Sequence, residues 1–198
     1  KLILEQLIIA EIIVPVVSPE NIFEPNIKVI GNSEAVANFI RNDNYFLENS
    51  EVEPDLIILI RTNETFEEFI ELVNYLSITS NHIFVDLAYN HVVSLGPLVF
   101  PQITSCVGCL KGRITSRWGD ALPPLAPTSS TELLEFTRDW LKIEVKKLYE
   151  SDDYTLANKT IVFDSQERTM TQNRLLTVPF CPYCNKGEVA KDGRVPNA

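Results

Sequence analysis

Nothing in this sequence is long and apolar enough to cross a bilayer as a helix. The longest unbroken apolar run, Leu56 to Ile60, falls far short of the roughly 20 residues a spanning helix needs, so no membrane partner is expected. Basic residues are scarce: 17 Lys and Arg stand against 27 Asp and Glu, a net charge of −10, and no basic stripe breaks the acidic background. A nucleic-acid partner is therefore not expected, because a phosphate backbone is held by clustered cations. Histidine is limited to His82 and His91, both at the ends of predicted strands, where surface or capping roles are expected. No Gly-x-Ser-x-Gly nucleophile elbow occurs. There is also no signal-like segment, internal repeat or low-complexity run. The only methionine is Met170, so the chain does not open on an initiator, and Lys1 is expected to lie inside a longer protein.

Apolar residues make up 45% of the chain, enough to build a core and to exclude wholesale disorder. Four cysteines fall in two tight pairs, Cys106-Val107-Gly108-Cys109 and Cys181-Pro182-Tyr183-Cys184, with 71 residues between the inner two. Two such turns, each presenting two thiolates, have the spacing of one tetrahedral Zn2+ site. Four thiolates close the coordination shell, so the metal is expected to be structural, with Cys106, Cys109, Cys181 and Cys184 as its ligands. A zinc site of this kind contributes on the order of 10 kcal/mol to folding, which rivals the whole net stability of a domain.

Two other readings of the cysteines stand beside this one. Cys-Pro-Tyr-Cys is also a glutaredoxin-type redox motif, but such a pair opens a helix, and a polar tail follows Cys184. Disulfides need an oxidising compartment. An acidic, enzyme-sized chain without a signal-like segment is expected to be cytoplasmic, where thiols stay reduced.

Strand and helix signals alternate from residue 26 to 88. Asn26–Ser33 reads as strand and turn, with Ser33 or Asn32 capping a helix over Glu34–Arg41 whose Val36, Phe39 and Ile40 face inward. Asp55–Ile60 is a strand covered on both faces, and Phe66, Phe69, Ile70, Val73 and Leu76 follow at helical spacing. Another strand spans Ile83–Leu87. Val92–Pro101 reads as strand, bend, strand. After the Pro-rich stretch Leu122–Pro127, Ser129 and Glu132 form a capping box opening a helix to about Tyr149, with an apolar stripe wide enough for burial on more than one side. Strands over Thr160–Phe163 and Leu175–Pro179 end the pattern, the second delivering Cys181. The fold class expected is α/β: a Rossmann-like, mostly parallel sheet with helices on both faces, plus a zinc-stapled C-terminal half.

This order of elements resembles the ThiF/MoeB family of ubiquitin-activating-enzyme-like adenylyltransferases over most of residues 26–184. The stretch from Leu95-Gly96-Pro97-Leu98 through Cys106-Val107-Gly108-Cys109-Leu110, together with Pro179–Cys184, is similar to a narrower branch. That branch comprises the ThiF-like partners of YcaO cyclodehydratases, which build thiazoles and oxazoles into ribosomal peptides such as bacteriocins. The resemblance implies a YcaO-type partner that uses ATP, a precursor peptide, and a chain that presents the peptide's leader rather than catalysing. It also implies a winged-helix peptide-recognition module upstream. Residues 1–18, densely apolar, would be the end of that module or a homodimer contact. Residues 19–95 would be the Rossmann-like half, 96–184 the zinc-bearing half, and 185–198 a polar tail.

One departure bears on activity. An adenylating member carries Gly-x-Gly-x-x-Gly after its first strand; here the turn is Gly31-Asn32-Ser33-Glu34-Ala35-Val36, with one glycine of the three and an acid where phosphate would lie. No ribose-binding acid follows at the usual distance. The alternative, an active ATP-dependent adenylyltransferase, needs a nucleotide site built without that signature. Asp86 and Asp164 are candidate strand-end carboxylates. Lys111, Arg113 and Arg117 cluster beside Trp118, either as a surface for an acidic partner or as charge balance for nearby carboxylates and the zinc-tetrathiolate centre.

Overall fold

The alternation of short apolar runs with amphipathic segments becomes one sheet between two helical layers. The computed structural model describes residues 24–75, 79–120, 122–123, 130–179 and 181–184. The expected N-terminal segment at 1–18 and tail at 185–198 lie outside the described residues, as do Leu76 and most of the Pro-rich stretch. In chain order the elements are β1 (Ile27–Gly31), α1 (Glu34–Arg41), β2 (Leu56–Arg61), α2 (Phe66–Tyr75), β3 (His82–Tyr89), β4 (Val92–Val99), α3 (Val107–Trp118), α4 (Thr131–Glu150), β5 (Lys159–Asp164) and β6 (Thr169–Arg174). Among the described residues, no helix is long and apolar enough to cross a membrane.

The strands lie in the order β1-β2-β3-β4-β5-β6. β1 with β2 and β2 with β3 are parallel, while β3 with β4, β4 with β5 and β5 with β6 are antiparallel. The sheet is thus mixed, which corrects the expectation of a mostly parallel one. The physical reason is connection length. Helices α1 and α2 carry the chain back across the sheet, as parallel neighbours require. The tight turns at Asn90-His91 and at 165–168 reverse it on the spot, while β5 lies antiparallel to β4 after the long connection that carries α3 and α4. The boundary expected at 95/96 falls inside β4, which is one strand rather than two, and the sheet continues through it.

Both faces of β2 are covered, which explains its unbroken apolar run. Leu56, Ile58 and Ile60 pack with Ile27, Val29 and Val85 under α1 and α4. Ile57 and Leu59 point the other way, toward Phe66, Phe69 and Ile70 of α2 and Val107 and Leu110 of α3. Each such fully buried aliphatic side chain contributes roughly 1.5–3 kcal/mol. Helix α4 buries a single stripe, Leu133, Thr137, Trp140, Leu141, Glu144, Val145 and Leu148. Ile143 is 53% exposed, so burial on several sides does not occur.

Helix starts follow their capping chemistry. The Ser33 hydroxyl accepts from Val36 N at 3.4 Å. Helix α4 is capped by Ser130, whose hydroxyl accepts from Leu133 N at 3.3 Å, rather than by Ser129, which lies outside the described residues. Thr65 and Glu68 form a reciprocal box at α2, which the Thr-x-x-Glu pattern would have signalled. Asp120, at the end of α3, adds a remote cap by accepting Phe66 N and Glu67 N at 2.9 Å each.

A buried charge pair closes the C-terminal end of β2. Arg61, 1% exposed, donates from Nε and Nη2 to the two oxygens of Asp86 at 3.2 and 2.8 Å. Its guanidinium lies 3.8 Å from the Phe66 ring, and Nη1 donates to the Glu64 carbonyl at 3.1 Å. Breaking such a pair from one side typically destabilises by about 3–5 kcal/mol. The buried Glu64 carboxylate accepts Thr62 N and Asn63 N through Oε2, and burial pushes its pKa above the ordinary 4.5. A carboxyl whose folded pKa is raised favours folding fully below 4.5, and that contribution is lost as pH rises through the folded value. Between pH 4 and pH 7 the wild type should lose stability relative to Glu64→Gln, read as urea midpoints. A difference that stays constant or grows in favour of the wild type would contradict this.

Candidate metal centre and adjoining cleft

After β4 the chain turns through residues 100–105, held by Thr104, whose hydroxyl accepts Phe100 N at 2.9 Å. Cys106 then occupies the N-cap position of α3, a 12-residue helix that the sequence pattern did not reveal because Lys111, Gly112, Arg113 and Ser116 interrupt its apolar spacing. The second cysteine pair arrives by a different route from the one expected. The strand is β6, at Thr169–Arg174, and Leu175–Val178 is not a strand. That segment instead runs along the start of α3. Leu175 N donates to Asn158 O at 2.8 Å, Val178 N to the Cys109 Sγ at 3.3 Å, and Arg113 Nε to Leu176 O at 2.9 Å. Asn158, at φ 58, also accepts Ser105 N through its side chain at 2.7 Å, so one residue positions both approaches.

The four sulfurs lie within 4.8 Å of one another. Cys106 and Cys109 are 3.9 Å apart, and the contacts between pairs are as close: Cys106 to Cys181 at 3.7 Å and Cys109 to Cys184 at 3.4 Å. None is a disulfide distance, and all four cysteines are free. Tetrahedral bonds of about 2.3 Å set sulfurs roughly 3.8 Å apart, so this donor set fits a metal ion. The first pair opens a helix, as redox dithiols do, yet each of its sulfurs also meets the second pair, so the four form one cluster rather than two independent dithiols. The hydrogen bond from Cys106 holds Cys109 low, at about 5, and that same donation to Cys109 raises Cys106, while burial pushes Cys184 up to about 12. Four thiolates this close repel one another, and a divalent cation is what makes the fully deprotonated set stable.

Shape matches as well as charge. A Cβ on Gly108 would lie 2.2 Å from Cδ2 of Tyr183, so the middle of one Cys-x-x-Cys turn is a seat for the ring of the other.

Helix α3 also roofs a cleft of about 620 Å³ that runs over the sheet from the Arg61–Asp86 pair to β6. The expected basic cluster divides here. Lys111 forms an ion pair with Glu67 of α2 and does not line the cleft. Arg113, Arg117 and Trp118 do line it, joined by Arg174 of β6 and by Arg61, neither of which was anticipated. An arginine closing an otherwise apolar strand was the available signal for Arg61. Asp86 borders the cleft, while His82 is buried rather than at the surface, its Nδ1 3.0 Å from Ser80 O and its pKa lowered by burial. His91 and Asp164 meet at 3.9 Å beside the β3–β4 turn.

No protein-family model matches the chain, and no curated protein does. Solved structures share its fold. A heterocyclase in complex with substrate and cofactor matches 92% of this chain at a TM-score of 0.66 and 15% identity, over 31% of its own length. The heterocyclase TruD matches 80% of it at 0.59 and 17% identity, over 27% of that protein. A chain of the E. coli microcin synthetase McbBCD complex with pro-MccB17 bound matches 83% at 0.58 and 12% identity, over 72% of its length. The present chain thus spans less than a third of the heterocyclases.

Gly108→Ala should displace Tyr183 and open the cluster. We expect at least a tenfold loss of affinity for added Co2+, followed by its sulfur-to-metal absorption, roughly 1.4 kcal/mol or more. Unchanged affinity would show that the two turns do not depend on this contact.

Proposed function

We propose that this chain is the ThiF-like scaffold of a partner protein for an ATP-using YcaO cyclodehydratase, which forms thiazoline or oxazoline rings in a ribosomal peptide. It would help present the precursor's leader and dock the ATP-using subunit without catalysing itself. The observation that carries the reading is the heterocyclase fold, matched over 92% of this chain at a TM-score of 0.66. The two Cys-x-x-Cys turns meeting at one point support it.

The turn after β1 supports the non-catalytic half of the reading. Gly31 accommodates its neighbour strand, since a Cβ there would lie 3.0 Å from Ile60 O. Asn32 is engaged by side chains across the turn: its amide donates to Asn63 Oδ1 at 2.8 Å and its oxygen accepts from the Thr62 hydroxyl at 2.5 Å. Ser33 accepts Val36 N, and Glu34 supplies a negative charge in the first turn of α1. Backbone donors and dipole that could cradle phosphate are thus partly satisfied and partly opposed.

In this reading Cys106, Cys109, Cys181 and Cys184 hold a structural Zn2+ that ties the segment after β6 to the start of α3. Elemental analysis should find one zinc per chain. Excess chelator should lower the melting temperature by roughly 20 °C or more, as a contribution on the order of 10 kcal/mol implies. Melting that is indifferent to chelator would remove the structural role. The function itself is tested by reconstitution with a YcaO-type subunit and a Cys/Ser/Thr-rich precursor. Co-elution, and loss of one water per ring only when this chain is present, is expected. Micromolar binding of ATP and Mg2+ by this chain alone would favour an adenylyltransferase instead.

A further inference from the structure

The two cysteine turns meet each other more closely than the first meets itself. Cys109 Sγ lies 3.4 Å from Cys184 Sγ and Cys106 Sγ lies 3.7 Å from Cys181 Sγ, while the two sulfurs of the first turn are 3.9 Å apart. Exposure follows the same pairing. Cys109 and Cys181 are buried, and Cys106 and Cys184 are half-buried. Each half-buried cysteine thus has a buried partner in the other turn.

Contacts that owe nothing to a metal hold one of these pairs face to face. Val178 N donates to Cys109 Sγ at 3.3 Å, so the segment that leads to Cys184 keeps that sulfur on its own side. Tyr183, the neighbour of Cys184, packs against Gly108, the neighbour of Cys109, so closely that a Cβ on the glycine would lie 2.2 Å from the ring. Closing a contact of 3.4 Å to the roughly 2.05 Å of a disulfide also needs less travel than at either of the longer contacts. Four unshielded thiolates at these distances repel one another. A metal removes that repulsion, and so does an oxidant that joins two of the sulfurs.

We propose that Cys109 and Cys184 form a thiol–disulfide pair, so that a peroxide converts the metal tie between α3 and the segment after β6 into a covalent one. The half-buried Cys184 sulfur takes one oxygen from the peroxide, becoming a sulfenic acid as hydroxide leaves. The Cys109 thiolate attacks that sulfur, the S–S bond forms, and the oxygen departs as a second hydroxide. Two protons from solvent turn both hydroxides into water. The sulfurs lose two electrons and the peroxide gains them. Two ligands are consumed, so the metal is released, and Cys106 and Cys181 remain as a second pair across the same two turns. The new bond joins residues 75 positions apart, and a loop of that length restricts the unfolded chain strongly. Oxidation therefore exchanges one tie for another and leaves α3 in place. From the function proposed above this takes only that the cluster holds zinc beforehand; the choice of sulfurs rests on their geometry.

The zinc-loaded full chain is treated with about one equivalent of hydrogen peroxide. Released zinc is followed with a chromogenic chelator, remaining thiols are alkylated, and linked and alkylated sites are located by fragment-ion mass spectrometry without reduction. Zinc should leave as two thiols disappear, with the link between Cys109 and Cys184 and the alkyl groups on Cys106 and Cys181. The oxidised protein should melt roughly 10 °C above the reduced, chelator-treated one. Reductant and zinc together should restore four thiols and the bound metal. A link within one turn, a first link between Cys106 and Cys181, a sulfinic acid at Cys184 without any link, or an oxidised form that melts no higher than the stripped one would each overturn the proposal. If the chain as purified holds no zinc but the reduced protein still forms the Cys109–Cys184 link, the structural-metal reading falls and the sulfur pairing survives. If zinc is bound and the link forms within a turn, this inference falls alone.

Discussion

The meeting of two cysteine turns at the start of α3 is the constraint on which the other half of the molecule depends. Without it, the segment after β6 has a few hydrogen bonds to Asn158 and Ser105 and little buried apolar surface beyond Leu175. With it, Cys109 accepts a backbone N–H from Val178, Gly108 seats Tyr183, and α3 is anchored at its first turn. A helix of 12 residues with four buried positions, all in its first turn, is weakly held by packing alone, so its anchor sets where its exposed C-terminal half stands. That half carries Arg113, Arg117 and Trp118 into the cleft.

The far side of the same cleft is held by different chemistry. Arg61 is buried, stacked on Phe66 and bonded through both forks to Asp86, which keeps two charges out of solvent only because each satisfies the other. Asp120 links the end of α3 to the beginning of α2. Two helices and two strands are therefore tied by polar contacts around that space.

Much of this could be read before any coordinates. Residues that alternate faces in β2 announce a strand covered on both sides, and helix α1 spans the residues its cap and apolar spacing indicate. Errors gathered where local signals compete. Ser129 and Ser130 are equally good capping residues, and only the path of the chain selects Ser130. Leu175–Pro179 has the composition of a strand but finds its hydrogen-bond partners on Asn158 and Cys109 instead of a neighbouring strand. Lys111 lies close to Arg113 in sequence, yet a helix turns them to different sides, toward Glu67 and toward Leu176.

What the sequence determined alone is whatever depends on neighbours a few residues away. That covers the type and rough extent of most elements, the two-residue spacer that lets each cysteine turn present two thiols together, and the absence of a glycine-rich turn after β1. Only the tertiary structure decided which strands run parallel, that the four sulfurs converge within 4.8 Å, and that Arg61 and Arg117 border one cleft. Those depend on contacts between residues tens of positions apart. Their geometry is set by burying both faces of one sheet at once, a condition no local stretch of the chain encodes.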